Sequence, residues 1–465
     1  MQKPASGHPY IPSTEPNVRR ELLQAIGVAS VEELFATIPQ HLRFTGPLDI
    51  PGPLDEFSLR QAVTRLLDRN RSAGEQLSFL GGGCWPHFVP AVCDEVAQRA
   101  EFVTAYAGEP YEDHGRFQAL FEYQSLMGEL LEMDVVNVPT FDWAQAAATA
   151  LRMACRITGR RRVLVPDWIQ PDRASVIRNY MDPDVEVAVV RVDRRTGQLD
   201  QADLAARLSD AAAAVYIEVP SHFGVVEENA APIAELAHRH GALFVVGVDP
   251  ISLGLLAPPV RYGADIVCGE LQPLGIHMYG GGGLAGFIAT PDEQRFVMQY
   301  PSRLFGIAPT SQAGEYGFGD VAYERTSFAQ RENGRESVGT QTALWGIVAG
   351  VYLALMGPKG LREVGTTIVQ KGAYLRQRLA PIPGLRVPRF LGSHFKEFVL
   401  DFNGTGRSVA DINAYLARHG VFGGQDLSAD FPELGQAALY CVTEVHAQQD
   451  LDRLADLIGA ALGAD

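Results

Sequence analysis

Short apolar segments that alternate with helix-forming segments are the feature that most limits how this chain can fold. Four apolar runs lie at 163–165, 185–190, 213–219 and 243–248. Between them apolar residues recur with helical spacing, most clearly over 232–240. Strands that are apolar on both faces and separated by helices are typical of a parallel sheet covered by helices on each side. The pattern therefore predicts an α/β fold with a mainly parallel sheet.

The chain outside this sheet is predicted to form two further regions. Residues 1–75 combine short amphipathic helices with the proline-rich stretch 47–54, and we interpret them as a helical and extended arm laid over a partner. Residues 76–340 form the large α/β domain. Residues 341–465 form a smaller C-terminal α+β domain that begins with an apolar helix at 342–356 and has strands at 397–401 and 438–442.

Charge and cysteine content narrow the possible partners. The formal net charge is −16, which argues against nucleic acid and anionic membranes as partners. The five cysteines are widely spaced and form no Cys-x-x-Cys pair, so neither zinc nor disulfides are indicated. No leader-like N-terminus and no run of about 18 apolar residues is present. We therefore expect a cytoplasmic protein with reduced thiols.

Lysine usage sets the central question about chemistry. A large α/β domain of this kind usually holds pyridoxal phosphate on a lysine, because a Schiff base requires a primary amine. The only lysines are Lys3, Lys359, Lys371 and Lys396, and none lies between residues 4 and 358. The sequence therefore predicts that no amine reaches the ligand-binding edge of the sheet, and that the chain kept an architecture without its central chemistry.

Asp249 is the candidate residue at that edge, because it directly follows the fourth apolar run and ligands bind beyond the carboxyl ends of parallel strands. It could hold the protonated pyridine nitrogen of the cofactor. It could equally cap the turn that Pro250 begins, and the missing lysine favours this second interpretation.

The other polar groups indicate structure more than chemistry. The glycine run 280–283 matches neither a P-loop nor a dinucleotide fingerprint and predicts a flexible loop, whereas glycines 81–83 predict a backbone crossing. The pair Ser221-His222 lacks a nucleophile-elbow motif. The remaining groups are predicted to be loop or core residues and comprise His87, His114 and His277, the acidic residues Glu109, Glu112 and Asp113, and the arginines 160–162.

Several segments spread along the chain resemble one family, the alpha subunit (subunit 1) of two-chain bacterial glycine dehydrogenase (decarboxylating), the P-protein of the glycine cleavage system. The segments are YIPST at 10–14, SFLGGG at 78–83, VPAV at 89–92, FEYQ at 121–124, ACRITGR at 154–160, FGVVE at 223–227, DPISLGLL at 249–256, GADIV at 263–267 and CVTE at 441–444. The resemblance implies the architecture of fold-type I pyridoxal enzymes. It also implies a catalytic beta subunit that carries pyridoxal phosphate, decarboxylates glycine and passes the aminomethyl group to the lipoyl H-protein.

Departures from the family pattern cluster around the implied cofactor pocket. The resemblance places the beta chain's Schiff-base lysine at about Pro273, beside Gln272. Trp143 stands where the family has a glycine in a phosphate-cup-like block, and its indole would fill that cup. Gln170 stands where the family has histidine. Blocks at 106–112 and 336–342 also differ. These changes predict a vestigial pocket around Asp249 that holds no cofactor in this chain.

Three functions remain open. The first is a non-catalytic or supporting alpha subunit that pairs with a beta subunit and serves the lipoyl H-protein. The second is a divergent stand-alone paralogue whose rebuilt pocket acts on another small amino-acid-like substrate without a pyridoxal Schiff base. The third, a pyridoxal enzyme using Lys371 or Lys396, is disfavoured because neither lies in the predicted sheet domain.

Overall fold

A seven-stranded sheet lies at the centre of the computed structural model, which describes residues 8, 10–44, 46–103, 114–336 and 341–463. The strands of the described residues, seven of which form this sheet, are β1 (Leu77–Ser78), β2 (Val135–Val136), β3 (Arg162–Pro166), β4 (Glu186–Val190), β5 (Ala214–Val219), β6 (Leu243–Val248), β7 (Ile266–Glu270), β8 (Gly286–Thr290), β9 (Phe305–Pro309), β10 (Tyr316–Asp320), β11 (Glu397–Asp401), β12 (Val421–Phe422), β13 (Gln425–Asp426) and β14 (Ala437–Cys441). The sheet order is β2-β8-β7-β6-β5-β3-β4. Strands β3 to β7 run parallel, and β8 is antiparallel to both neighbours. The predicted α/β fold is confirmed.

Helices cover both faces of this sheet. The helices of the whole described chain, including those outside this sheet, are α1 (Pro16–Ile26), α2 (Val31–Leu34), α3 (Glu56–Leu67), α4 (Ala91–Ala97), α5 (Ala100–Val103), α6 (His114–Leu131), α7 (Trp143–Thr158), α8 (Pro171–Met181), α9 (Gln201–Arg207), α10 (Ala230–Arg239), α11 (Gln294–Val297), α12 (Ala343–Leu379), α13 (Val409–Arg418) and α14 (Gln448–Leu462). Every residue of β5 and β6 is buried, and successive residues of these strands enter two different apolar cores. Because side chains alternate between the faces of a strand, burial of both faces produces the unbroken apolar runs.

The chain divides into two compact units, Met1–Asn70 and Arg71–Asp465. The first unit contains α1 to α3, and none of the residues in these helices is buried. Glu15 caps α1 by accepting hydrogen bonds from the backbone N–H groups of Asn17 and Val18. The proline-rich stretch 47–54 has no regular structure, as predicted.

Helix α12 joins the two domains of the second unit. It was predicted to end at residue 356, but helical structure continues to Leu379 after a break at Gly357, whose φ and ψ are 56° and −176°, followed by Pro358. The helix packs against α4, α6 and the 3₁₀ turn Pro250–Gly254, and also against α14. Its length and apolar composition would suffice to cross a membrane, but many of its apolar residues, among them Val348, Leu361 and Leu375, belong to the cores of the described chain.

The small domain packs α13 and α14 on the antiparallel sheet β11-β14-β13. The strand predicted at 397–401 is confirmed, and the one predicted at 438–442 begins and ends one residue earlier. Residues 77–78 lie within the predicted large domain, but β1 pairs in parallel with β12, which lies within the predicted small domain. The polypeptide therefore crosses between the domains just after residue 78.

A second crossing lies directly before β11. The backbone N–H of Phe395 donates to the carbonyl of Gly224 at 2.9 Å, and the N–H of Val226 donates to the carbonyl of Ser393 at 2.9 Å. Gly224 has φ of +77°, and a Cβ atom there would lie 1.9 Å from the carbonyl oxygen of Glu397. Only glycine fits this position. The contact holds residues 393–397 at the carboxyl ends of the parallel strands.

Candidate functional site

Asp249 lies at the end of β6 and is buried. Its Oδ1 accepts a hydrogen bond from the backbone N–H of Ile251 at 3.1 Å, so it caps the following 3₁₀ turn. The capping interpretation is therefore confirmed. Its second carboxylate oxygen, Oδ2, points to a different partner.

That partner is Lys396. Its Nζ lies 2.5 Å from Asp249 Oδ2, and the lysine side chain is 1% exposed. The same Nζ lies 4.1 Å from the centre of the Trp85 ring. The prediction that no amine reaches this edge of the sheet was wrong. It failed because Lys396 belongs to the small domain in sequence, and only the crossing at Gly224 carries it to Asp249.

Trp143 is the first residue of α7, whose N-cap is Asp142. The indole is buried between the start of this helix and the neighbouring strands. Its Nε1 donates to the Tyr216 hydroxyl at 3.1 Å, and a Cβ atom on Gly247 would lie 2.8 Å from the indole. The ring therefore occupies the space next to the helix N-terminus, where a phosphate would otherwise be favoured.

A buried ion pair continues this cluster. Arg173 Nη1 lies 2.5 Å from Glu218 Oε1, and the Arg173 guanidinium lies 3.8 Å from the centre of the Trp143 ring. The Tyr216 hydroxyl donates to the same Glu218 oxygen at 3.0 Å. Burial acts to lower the pKa of Arg173, but the charges of Glu218 and Tyr216 and the hydrogen bond to Glu218 together outweigh it, so the pKa of the arginine is raised overall. Arg173 therefore stays charged at neutral pH.

The remaining residues of the predicted pocket have supporting contacts. Gln170 caps α8, accepting a hydrogen bond from the backbone N–H of Arg173 at 2.7 Å. Gln272 is buried and bonds both the N–H and the carbonyl of Trp85, each at 3.0 Å. Pro273 is buried in the turn after β7. None of Gln170, Gln272 and Pro273 lines the cavity beside Asp249, whereas Trp143 does. Gln272 instead fixes the tryptophan that faces Lys396.

The cavity beside Asp249 and Lys396 has a volume of about 20 Å³. This is room for about one water molecule, whereas ligand pockets measure about 300–1,000 Å³. Ser221 Oγ and His222 Nε2 are buried there and have no hydrogen-bond partner among the described residues. Burial and the nearby Arg173 lower the pKa of His222 to about 3, so its ring is neutral. His222 packs on Phe223 and Phe431 as a core residue.

Glu397 forms the wall next to Lys396. Its Oε1 accepts a hydrogen bond from the backbone N–H of Gly82 at 2.6 Å, and a Cβ atom on Gly81 would lie 2.2 Å from that oxygen. The glycine run therefore lies closely against the Glu397 side chain, whereas the backbone crossing predicted at 81–83 stays a prediction. Burial raises the pKa of Glu397 to about 7, although the Gly82 N–H and the charge of Lys396 act in the opposite direction.

The other sequence candidates lie apart from this site or have ordinary partners. His87 Nδ1 is 2.8 Å from Glu444 Oε2, and His277 Nε2 is 2.9 Å from Asp94 Oδ1. Arg160 bonds the carbonyls of Ala212 and His240. The acidic residues 109, 112 and 113 lie outside the described residues, and His114 begins α6. Within the described part of the chain, no group of His, Cys, Asp and Glu could hold a metal ion.

Glycines 280–282 lie in exposed turns around a short 3₁₀ segment, Tyr279–Gly281, with φ of +68° at Gly280 and +94° at Gly281, whereas Gly283 is buried. Sequence reasoning missed the cluster formed by Trp85, Arg173, Glu218, Lys396 and Glu397. One signal was available in the sequence: of only four lysines in the chain, Lys396 directly precedes strand β11.

The fold is that of the fold-type I pyridoxal-phosphate enzymes. It is similar to a sphingosine-1-phosphate lyase from Burkholderia pseudomallei, with a TM-score of 0.65, 13% identity and coverage of 92% of this chain and 95% of that chain. The chain belongs to the glycine cleavage system P-protein family, whose model matches residues 8–458.

Two relatives place the chain within this family. A probable glycine dehydrogenase (decarboxylating) subunit 1 from Staphylothermus marinus is 38% identical and covers 97% of this chain and 98% of its own length. The crystal structure of an inhibitor-bound glycine decarboxylase (P-protein) of the glycine cleavage system superposes with a TM-score of 0.82 at 33% identity. That match covers 96% of this chain and 98% of the other. The resemblance to subunit 1 is confirmed.

Proposed function

We propose that this chain is a non-catalytic, supporting alpha subunit of a glycine-decarboxylase complex. In this proposal a beta subunit carries pyridoxal phosphate, decarboxylates glycine and transfers the aminomethyl group to the lipoyl H-protein. Relatives that cover nearly the full chain are named subunit 1, which supports a second subunit as the partner.

The filled pocket is the observation that carries this proposal. Pyridoxal phosphate requires an anion-binding helix start, an acid for its ring nitrogen and a free amine. Here Trp143 fills the space at the helix start, Asp249 is paired with Lys396, and about 20 Å³ remains free. The residues present therefore do not fit the cofactor, and we assign none to this chain.

The same contacts support a structural role. Lys396–Asp249 joins the small domain to the sheet, and His87–Glu444 and the Trp168 Nε1 bond to Glu433 Oε1 at 2.6 Å add two further links. A subunit held in this way presents a fixed surface to a partner without a domain movement of its own.

Co-expression tests the proposal. We expect the purified chain alone to show no pyridoxal absorbance and no glycine–bicarbonate exchange. With its subunit 2 it should form a larger assembly with both properties, and subunit 2 alone serves as the control. Exchange activity in the isolated chain, or subunit 2 reaching full activity without it, would contradict the proposal.

The alternative of a stand-alone enzyme for another small substrate has less support. A pocket rebuilt for catalysis would need space for its substrate, and the cavity beside Asp249 holds about one water molecule. Lys396 as a Schiff-base lysine is likewise less favoured, because its amine is paired with Asp249. Turnover of an amino acid by the isolated chain would support one of these two alternatives over the subunit role.

A further inference from the structure

We propose that Asp249 and Trp85 form a binding site for a primary ammonium group and that the chain fills this site with its own Lys396. The proposal goes beyond the subunit role and does not depend on it, because it concerns an internal site that can be tested in the isolated chain.

The large domain supplies a preformed anionic and aromatic half of the site. Asp249 is fixed by its Oδ1 bond to the Ile251 N–H, which leaves Oδ2 directed at the ammonium. Trp85 is fixed by the two backbone bonds to Gln272. Neither arrangement involves Lys396. A carboxylate and an indole face that both approach one nitrogen are the groups that recognise an organic cation.

The charges near Lys396 favour a cation at this position. Three acidic residues lie close enough to act electrostatically on the same neighbour as Lys396, the thiol of Cys441: Glu397, Glu444 and Asp249. The other cation lining the cavity is Arg173, which is already paired with Glu218. His87 is neutral, because burial and the charge of Lys396 lower its pKa. Removing the lysine would therefore leave the buried Asp249 carboxylate without its counter-charge, which is costly in a protein interior.

The backbone at Lys396 indicates that its surroundings hold it in place. Its φ is +62°, a left-handed conformation that is unfavourable for lysine. Such a conformation persists only where neighbouring contacts fix it. Here the Val442 N–H donates to the Lys396 carbonyl at 2.8 Å, and the adjacent Phe395 N–H donates to Gly224. Asp249 further holds the side chain.

Chemical rescue of Lys396→Ala tests the site. The substitution removes a three-carbon chain and its ammonium, and n-propylammonium has that same composition. We expect the variant to melt on the order of 5 °C below the unchanged chain, because one partner of a buried ion pair is lost. Millimolar n-propylammonium chloride should recover much of this loss by binding only the folded form. Lys359→Ala, at an exposed lysine, is the matched control and should melt unchanged.

Three comparisons distinguish binding of an ammonium ion at this site from a general effect of salt or of filling a cavity. Sodium chloride at equal ionic strength and 1-propanol should not rescue Lys396→Ala, because neither supplies an alkylammonium ion. Lys396→Met should not respond to n-propylammonium, because its own side chain fills the space. Equal stabilisation of the unchanged chain, Lys396→Ala and Lys396→Met by n-propylammonium would overturn the proposal, as would a Lys396→Ala variant that melts like the unchanged chain.

A second pair of variants applies if Lys396→Ala does not fold. Lys396→Met combined with Asp249→Asn should melt higher than Lys396→Met alone, because the second change removes the uncompensated carboxylate. A double variant that is no more stable than Lys396→Met would contradict the proposed site.

Discussion

At the scale of single residues, buried polar side chains decide what this pocket can do. Trp143 and two buried ion pairs, Arg173–Glu218 and Asp249–Lys396, fill the region at the carboxyl ends of the parallel strands, where open α/β sheets bind ligands. Sequence reasoning found Asp249 because it directly follows an apolar run, and Trp143 because it departs from the family pattern. It could not find the pairing with Lys396, because a pattern along the chain carries no information about a contact between domains.

The packing of Trp143 gives the first prediction. Trp143→Ala should lower the free energy of unfolding by about 3–5 kcal/mol, because it leaves a large cavity and removes the face on which Arg173 lies. Trp143→Phe should cost less, since it keeps most of the apolar volume. Denaturant unfolding of both variants measures this difference. Equal losses for the two substitutions would show that the indole volume is not what matters.

Glu397 gives a prediction about pH. Its pKa is raised by burial to about 7, so the folded chain binds a proton more tightly there than the unfolded chain does. The stability that depends on this proton is complete below about pH 4.5 and is lost as pH rises through 7. Relative to Glu397→Gln, the unchanged chain should therefore lose up to about 1.4 kcal/mol per pH unit over this range.

Stability curves of the two proteins between pH 5 and 8 measure the difference. The glutamine variant keeps an oxygen that can accept the Gly82 N–H bond, so it is a matched control for shape. A constant difference across this range would contradict the raised pKa.

At the scale of elements, the apolar runs predicted the parallel strands well. Strands β3 to β6 lie within a few residues of their predicted positions because burial on both faces leaves a strong local signal. The hairpin of β9 and β10 was missed, since it is rich in glycine and mostly exposed or half-exposed and lacks that signal. The continuation of α12 was also missed, because Gly357 and Pro358 ordinarily end a helix.

The crossing at Gly224 gives a prediction at this scale. Gly224→Ala combines a positive φ with a clash against the Glu397 backbone, so it should separate the loop before β11 from the large domain. We expect a loss well above the roughly 1–2 kcal/mol of the φ penalty alone. Gly159→Ala is the matched control, because Gly159 also has positive φ, at +69°, but no atom lies within 4 Å of its would-be Cβ. Thermal melts of the two variants compare the costs, and equal costs would contradict the contact.

At the scale of the whole molecule, the large and small domains form one compact unit, Arg71–Asp465. The links at Lys396–Asp249, His87–Glu444 and Trp168–Glu433 connect residues far apart in sequence. The sequence predicted the family, but these links depend on three-dimensional contacts that no local spacing reveals.

Hydrogen exchange tests this coupling. We expect the amides of β11 and β14 to be protected to about the same extent as those of β5 and β6, because opening the small domain would break the buried Lys396–Asp249 ion pair. Lys396→Ala should raise exchange in the small domain first. Fast exchange of β11 and β14 in the unchanged chain would show that the domains open independently.

The tryptophan at the start of α7 also limits how this lineage could change. Removing the indole alone would take away the ring on which Arg173 lies and would leave Asp249 still paired with Lys396. Removing Lys396 alone would leave the Asp249 carboxylate without its partner. Each single step costs stability before any benefit appears, so opening this space for a ligand would require several coordinated substitutions. Such interdependence makes a gradual opening of the site by single substitutions unfavourable.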